Sequence, residues 1–311
     1  MSEPYLILVA GMHRSGTSAI THGLEILGVS LGDDLLPAND DNPKGFFEDR
    51  KVCEIDDRLL ALTDSSWHTL GRRYWPVEGP GELDRLEEEA SDLLRERIGS
   101  AEAFGLKDPR ISRLMPFWLE IASKLGIKTS VVIAHRSPYV IADSLLTRDG
   151  FPPEKSLLLW LDYLVSALRS QISPKLVVSY DRLLAQPEEQ LERMRTQLSL
   201  PGRADSHAIR AYKEEFLTSK LSRSRPVSAT VSQTLRETVD GLASALDMLS
   251  ADEIGSADPR VISALEESSR LLDYSADAIG LADAMEDSVS KLQLFLSRLI
   301  WPGGRRVEES T

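Results

Sequence analysis

The sequence predicts an α/β protein, a parallel sheet with helices on both faces, plus an α-helical C-terminal extension. Three observations carry this. Apolar runs without polar alternation, such as Tyr5 to Ala10 and Thr129 to Ala134, read as strands buried on both faces. Helical stretches alternate with them, which is the pattern of parallel β-α-β units. Beyond Pro226, glycine and proline thin out, and Leu235, Val239, Leu242, Leu246 and Leu249 step by four and three. That spacing is a heptad-like stripe on a helix.

Each element follows from local pattern. Tyr5 to Ala10 opens the sheet, and a helix from Ala19 to Leu27 follows, ended by Gly28. Asp33 to Asp49 reads as loop, with Pro37, Asn39, Asn42, Pro43 and Gly45. Val52, Ile55, Leu59 and Leu62 space a helix over Lys51 to Leu62. Asp64 to Gly81 is irregular and aromatic, and a charged helix runs from Glu82 to Ile98. Phe104 to Leu106 is a short strand, Pro116 to Leu125 a helix, and Thr129 to Ala134 a strand. Helices over Tyr139 to Thr147 and Leu157 to Gln171 precede a strand from Leu176 to Tyr180. In the tail, Val261, Leu265 and Leu272 begin a second helix after Asp258-Pro259. The expected division is an α/β domain over 1–225 and a helical extension over 226–311, which packs on the core, self-associates or docks a partner.

Composition narrows the function. The chain has 311 residues and a net charge of -13, which argues against a nucleic-acid binder with a general basic surface. An anionic ligand would need a local basic pocket. The segment from Pro226 carries about twice as many acidic as basic residues. Cys53 is the only cysteine, so no internal disulfide forms. No basic leader precedes an apolar run, and no run is long enough to span a membrane. The expectation is a cytoplasmic protein without a transmembrane segment.

The most informative segment is the loop after the first strand, Gly11-Met12-His13-Arg14-Ser15-Gly16-Thr17-Ser18. A buried strand, a glycine-bounded turn and a helix start aim backbone N–H groups and a helix dipole at one point, an anion site. The spacing is that of a P-loop, G-x4-G, but Thr17 stands where the Walker lysine belongs. The cation is Arg14, which stays charged and can fork onto two oxygens. Thr17 and Ser18 add hydroxyls. A second element, His135-Arg136-Ser137-Pro138 through Ser144, follows the strand ending at Ala134. Ligands in open α/β sheets sit at such carboxyl ends.

The loop together with R-x-P-x5-S resembles the PAPS-dependent sulfotransferases (PAPS is 3′-phosphoadenosine 5′-phosphosulfate), nearest their bacterial branches. Further segments extend the resemblance over roughly residues 5–225. Asn42-Pro43-Lys44-Gly45-Phe46-Phe47-Glu48 is similar to the N-x-x-G-[FY]-[FW]-E of bacterial members. Lys107-Asp108-Pro109 is similar to the family's K-D-P. Leu176 to Leu184 with Pro187 is similar to its strand–Y-E-D-L-L–P segment, with Arg182 in place of the usual aspartate.

The resemblance implies a P-loop NTPase-like sulfotransferase fold and PAPS as co-substrate, without a metal. The 5′-phosphosulfate would bind Gly11, Met12, His13, Arg14, Ser15, Gly16, Thr17 and Ser18. The 3′-phosphate would bind Arg136 and Ser144, with Arg223 and Arg225 as a late basic segment over the nucleotide. Arg14, Lys107 and Glu48 become the catalytic residues. The acceptor hydroxyl must lose a proton near the loop. Glu48, next to an aromatic pair, is the first candidate base, with Asp49 and His68 as alternatives. Trp67, Tyr74 and Trp75 are candidates for an acceptor groove or for lid packing. A glycan or glycolipid acceptor is favoured. Two other functions stay open: a P-loop kinase using ATP and Mg²⁺, disfavoured by Thr17, and a non-catalytic nucleotide-binding scaffold. The end of the tail, with Leu292, Phe295, Leu299, Trp301 and Arg305-Arg306, is the candidate docking surface for a partner or a membrane.

Overall fold

The computed structural model describes residues 4–39, 42–70, 81–99, 101–170, 175–201, 205–217, 231–276 and 285. Four parallel strands form one sheet in the order β2-β1-β3-β4: β1 is Tyr5–Ala10, β2 Phe104–Lys107, β3 Lys128–His135 and β4 Lys175–Ser179. All six residues of β1 are buried. Alternate side chains explain why: Leu6, Leu8 and Ala10 enter one core, and Tyr5, Ile7 and Val9 the other. The unbroken apolar run is therefore the signature of a strand covered on both sides.

The first face is covered by α2 (Arg50–Ala61), α3 (Glu82–Ile98), α4 (Ile111–Lys124), α5 (Pro138–Asp149) and α6 (Pro153–Leu168). The opposite face carries α1 (Thr17–Ile26), α7 (Tyr180–Ala185) and α8 (Pro187–Gln197). A short helix, α9 (Ser206–Ala211), runs into a π-helical turn over Tyr212–Phe216. Tyr212 closes that face, donating from its hydroxyl to the Ala19 carbonyl at 2.8 Å. Among the described residues, no helix is long and apolar enough to cross a membrane.

Two differences from the sequence expectation have physical causes. The helix expected to start at Pro116 starts at Ile111 and carries Pro116 in its interior. Proline prefers a first turn, but Ile111, Leu114 and Met115 are fully buried, and that packing outweighs the lost hydrogen bond. Between Tyr180 and Pro226 the sequence pattern alone predicts no helix, yet short helices form there. There α8 buries only Pro187, Gln190, Leu191 and Met194, too thin a stripe to stand out. In the tail, α10 spans Gln233–Ser250 and a further helix, α11, covers 259–276. The whole stripe Leu235, Val239, Leu242, Leu246 and Leu249 is buried in the core of the first sheet face. This helix packs against β4, β3 and α6.

Candidate anion site and catalytic centre

The carboxyl ends of all four strands meet along one crest. The chain leaves β1 for β2 on one side and then crosses to β3 on the other. The end of β1 is thus the switch point where such sheets open a crevice. Register sets the neighbours: Val9 lies opposite Lys107, Ala10 opposite Ile133, and His135 opposite Ser179.

The loop leaves β1 with Gly11 at φ 141 and turns into α1 at Gly16, φ 91. Both positions need glycine. A Cβ on Gly11 would meet Ala134 at 2.9 Å, and one on Gly16 would collide with the Tyr180 ring. Arg14 is left-handed too, at φ 69, a strained conformation for a residue with a side chain. Ser15 N–H donates to the Met12 carbonyl at 3.1 Å, and Gly11 N–H donates to Ser112 Oγ at 2.8 Å. Ala19 and Ile20 N–H donate to the Gly16 carbonyl at 3.0 and 3.1 Å, whereas the N–H groups of Thr17 and Ser18 precede the first intrahelical acceptor. Met12 is wholly in the core, which leaves its backbone as the part facing the loop. Thr17 is buried. Ser18 Oγ donates to the Phe46 carbonyl at 3.2 Å and accepts from Asn42 Nδ2 at 3.2 Å.

The loop after β1 and the Arg136–Ser144 element converge on Arg14. Its Nε donates to Ser144 Oγ at 2.9 Å. Arg136 donates from Nη1 to the Arg14 carbonyl at 3.3 Å and lies over the Tyr180 ring, 4.7 Å from the centroid. Arg136 Nε is buried without a hydrogen-bond partner. A buried guanidinium nitrogen without an acceptor fits a place where an anion belongs.

Lys107 ends β2. Its ammonium is buried, donates to the Phe46 carbonyl at 2.9 Å and pairs with Glu48. Phe46 O therefore joins α1, through Ser18, to β2, through Lys107. Glu48 also receives the Cys53 thiol at 3.8 Å. Burial raises the Glu48 carboxyl above the usual range; the Lys107 charge opposes this and the Asp108 charge adds to it. Burial works on Asp108 in the same direction, but Arg110 overrides it and holds that carboxyl low. Arg110 brackets Asp108 with Nε at 2.9 and 3.0 Å and Nη2 at 2.7 Å.

Beneath lies Asp56, fully buried, accepting from Trp118 Nε1 at 2.8 Å. Burial and the Asp108 charge push it well above the usual carboxylate range. Glu48, Cys53 and Asp108 bring ligand atoms within 4.8 Å of one another. This donor set does not suit a cation. Lys107 and Arg110 already neutralise its carboxylates, and burial keeps the Cys53 thiol protonated.

The alternatives to Glu48 sit differently. Asp49 caps α2, accepting from Lys51 N at 2.9 Å and Val52 N at 3.3 Å, and its other oxygen takes Arg97 Nε at 2.6 Å. Both oxygens are engaged structurally. His68 packs edge-on to Trp67 and against Phe151. His13 lies 4.5 Å from the Trp67 ring. Burial drives its imidazole well below the usual value, the Asp108 charge opposing, so it stands neutral.

Sequence reasoning missed Arg113. This buried residue of α4 donates to Asp162 at 2.7 Å and to the carbonyls of Ser66, Trp67 and Thr69 at 3.1, 2.9 and 2.5 Å. It fixes the aromatic segment beside His13, and only its partners, more than forty residues away, reveal it. Trp67 is packing there: Arg148 covers its ring at 5.3 Å and Phe151 lies 5.6 Å away. Across the site, His22 stacks on Phe47 and Phe216 packs tilted and edge-on against the pair, and Lys44 donates to the Glu215 carbonyl at 2.9 Å. The 205–217 segment is thereby pinned to the 42–48 segment. Arg223 and Arg225 lie outside the described residues, as do Tyr74, Trp75, Leu292, Phe295, Leu299, Trp301 and Arg305-Arg306.

No protein-family model matches the chain, and no curated protein matches it in sequence. Among solved structures it is similar to the sulfotransferase domain from the Synechococcus PCC 7002 olefin synthase, at 11% identity and a TM-score of 0.40, over 87% of this chain and 96% of that one.

Proposed function

We propose that this chain is a sulfotransferase. It moves the sulfuryl group of PAPS to a hydroxyl acceptor, a carbohydrate or glycolipid, by metal-free in-line displacement. The observation that carries the reading is the convergence on Arg14. Ser144 and Arg136, 130 and 122 residues away, both bond to it. A nucleotide with anions at its 5′ and 3′ positions needs cationic groups at both, and the two guanidinium side chains, Arg14 and Arg136, gathered on this crest support that reading.

In this reading the N–H groups of Gly11 to Ser18 hold the 5′-phosphosulfate, in the manner of helix N-termini that bind phosphate. Arg136 and Ser144 hold the 3′-phosphate, with Arg223 and Arg225 as further basic contacts. Glu48 takes the proton of the acceptor hydroxyl as that oxygen attacks sulfur. Its burial beside Lys107 gives a base stronger than a solvated carboxylate. Lys107 and Arg14 stabilise the charge that grows on the bridging and sulfuryl oxygens. Adenosine 3′,5′-bisphosphate leaves.

The test is transfer of ³⁵S from labelled PAPS to a panel of glycans and glycolipids. Label in an acceptor with release of the bisphosphate supports the reading. Tight bisphosphate binding without transfer to any acceptor would leave a scaffold, and preference for ATP·Mg²⁺ would leave a kinase.

A further inference from the structure

The turn that carries Arg136 is held at both ends by the tail helix. On one side, His135 is the last residue of β3 and is 2% exposed. Its Nε2 meets Asp247 Oδ1 of α10 at 2.9 Å. A carboxylate only accepts, so the imidazole donates from Nε2. The other ring nitrogen, Nδ1, is buried and unpartnered. On the other side, the Tyr139 hydroxyl donates to Asp240 Oδ1 of α10 at 2.5 Å. Burial, then this carboxylate, raises the phenol to about 12, so it remains a donor. Between these two bonds lie Arg136, Ser137 and Pro138.

Asp240 and Asp247 are seven residues apart on α10, about two turns, and share one side of the helix. Val239, Leu242, Leu246 and Leu249 anchor the adjoining side in the core. Two carboxylates of the acidic tail thus meet the two residues that flank the Arg136 turn.

We propose that α10 is a positioning element of the nucleotide site: Asp247 and Asp240 fix the His135–Tyr139 turn so that the Arg136 side chain faces the loop. The inference rests on the sulfotransferase reading, because it assigns Arg136 to the nucleotide. The physical reason is the weak hold on Arg136 itself. Among the described residues it makes one long hydrogen bond, to the Arg14 carbonyl, and lies on the face of Tyr180, with Nε unpartnered. The backbone must therefore set its direction. Without Asp247 the buried His135 ring would have no acceptor, and the turn would shift to find one.

The test uses the full chain and the affinity of adenosine 3′,5′-bisphosphate by calorimetry. Asp247→Ala and Asp240→Ala change exposed helix positions to a residue of higher helix propensity, so folding is retained. Tyr139→Phe removes only a hydroxyl and serves as a third probe. Asp247→Ala is expected to weaken binding about five- to tenfold, and Asp240→Ala or Tyr139→Phe two- to fivefold, with far-UV circular dichroism unchanged. Made in an Arg136→Ala background, Asp247→Ala should add no further loss. Equal loss in both backgrounds, or no loss in the wild-type background, would overturn the proposal. Wild-type protein that binds no bisphosphate would instead remove the sulfotransferase reading on which it rests.

Discussion

Lys107 and Glu48 form a buried ion pair, their side chains 3% and 10% exposed, between the end of β2 and the segment leading into α2. Two desolvated charges persist in such a place only when each satisfies the other and the local hydrogen bonds are complete. Here the Phe46 carbonyl takes a second ammonium N–H, and the Cys53 thiol donates to the other carboxylate oxygen. The same environment suits a base and an electrophilic cation that must act together.

Lys107→Ala and Glu48→Gln are therefore expected to lower sulfate transfer by roughly 10²–10³-fold each. Their effects should not add, because either change breaks the same pair. Steady-state rates of the single and double variants, measured well below the unfolding midpoint, check this. A double variant worse than either single by the product of the two losses would mean that the residues act independently.

Glu48 also sets a pH dependence with a defined sign. Its folded-state pKa is raised by burial against the Lys107 charge, above the unfolded value of about 4.3. Its contribution to stability is fully present below that value and is lost as pH rises through the folded pKa. Relative to Glu48→Gln, wild-type stability should fall across that window. A base works deprotonated, so the acid limb of kcat/KM should lie above the ordinary carboxylate range. That limb should vanish in Glu48→Gln.

Gly16→Ala places a Cβ against Tyr180 at φ 91. The strain is worth about 1–3 kcal/mol. Relief requires the turn or Tyr180 to move, and Tyr180 supports Arg136. Affinity for adenosine 3′,5′-bisphosphate should drop tenfold or more, while far-UV circular dichroism stays that of the wild type.

Arg113→Met tests the frame around the aromatic segment. The change leaves the carbonyls of Ser66, Trp67 and Thr69 without their donor and Asp162 without its partner. Breaking a buried charge network of this kind destabilises by about 3–5 kcal/mol. Urea denaturation measures it, and a loss under 1 kcal/mol would show that the segment is held by packing alone.

The strands, the glycine-bounded loop after β1 and the tail stripe were legible because each is a local pattern. β1 shows as an apolar run, the loop as G-x4-G, and α10 as a four-three stripe whose five members are all buried. The start of α4 was not, since Pro116 is a local signal and the burial of Ile111 and Met115 is a tertiary fact. Residues joined only by the fold were silent as well. Arg113 bonds to partners on α6 and in the 66–70 segment. His135 and Tyr139 reach α10 more than a hundred residues on. The direction of the Arg14 side chain, toward Ser144, also depends on how β1 and β3 pair.

The central claim is that the loop after β1 and the Arg136–Ser144 element grip the two ends of one nucleotide. A crystal structure of the full chain with adenosine 3′,5′-bisphosphate tests it most directly. The account predicts the 5′-phosphate on the backbone amides between Gly11 and Ser18, and the 3′-phosphate within hydrogen-bond reach of Arg136 and Ser144. A bisphosphate bound away from that loop, or with its 3′-phosphate on other residues, would contradict it.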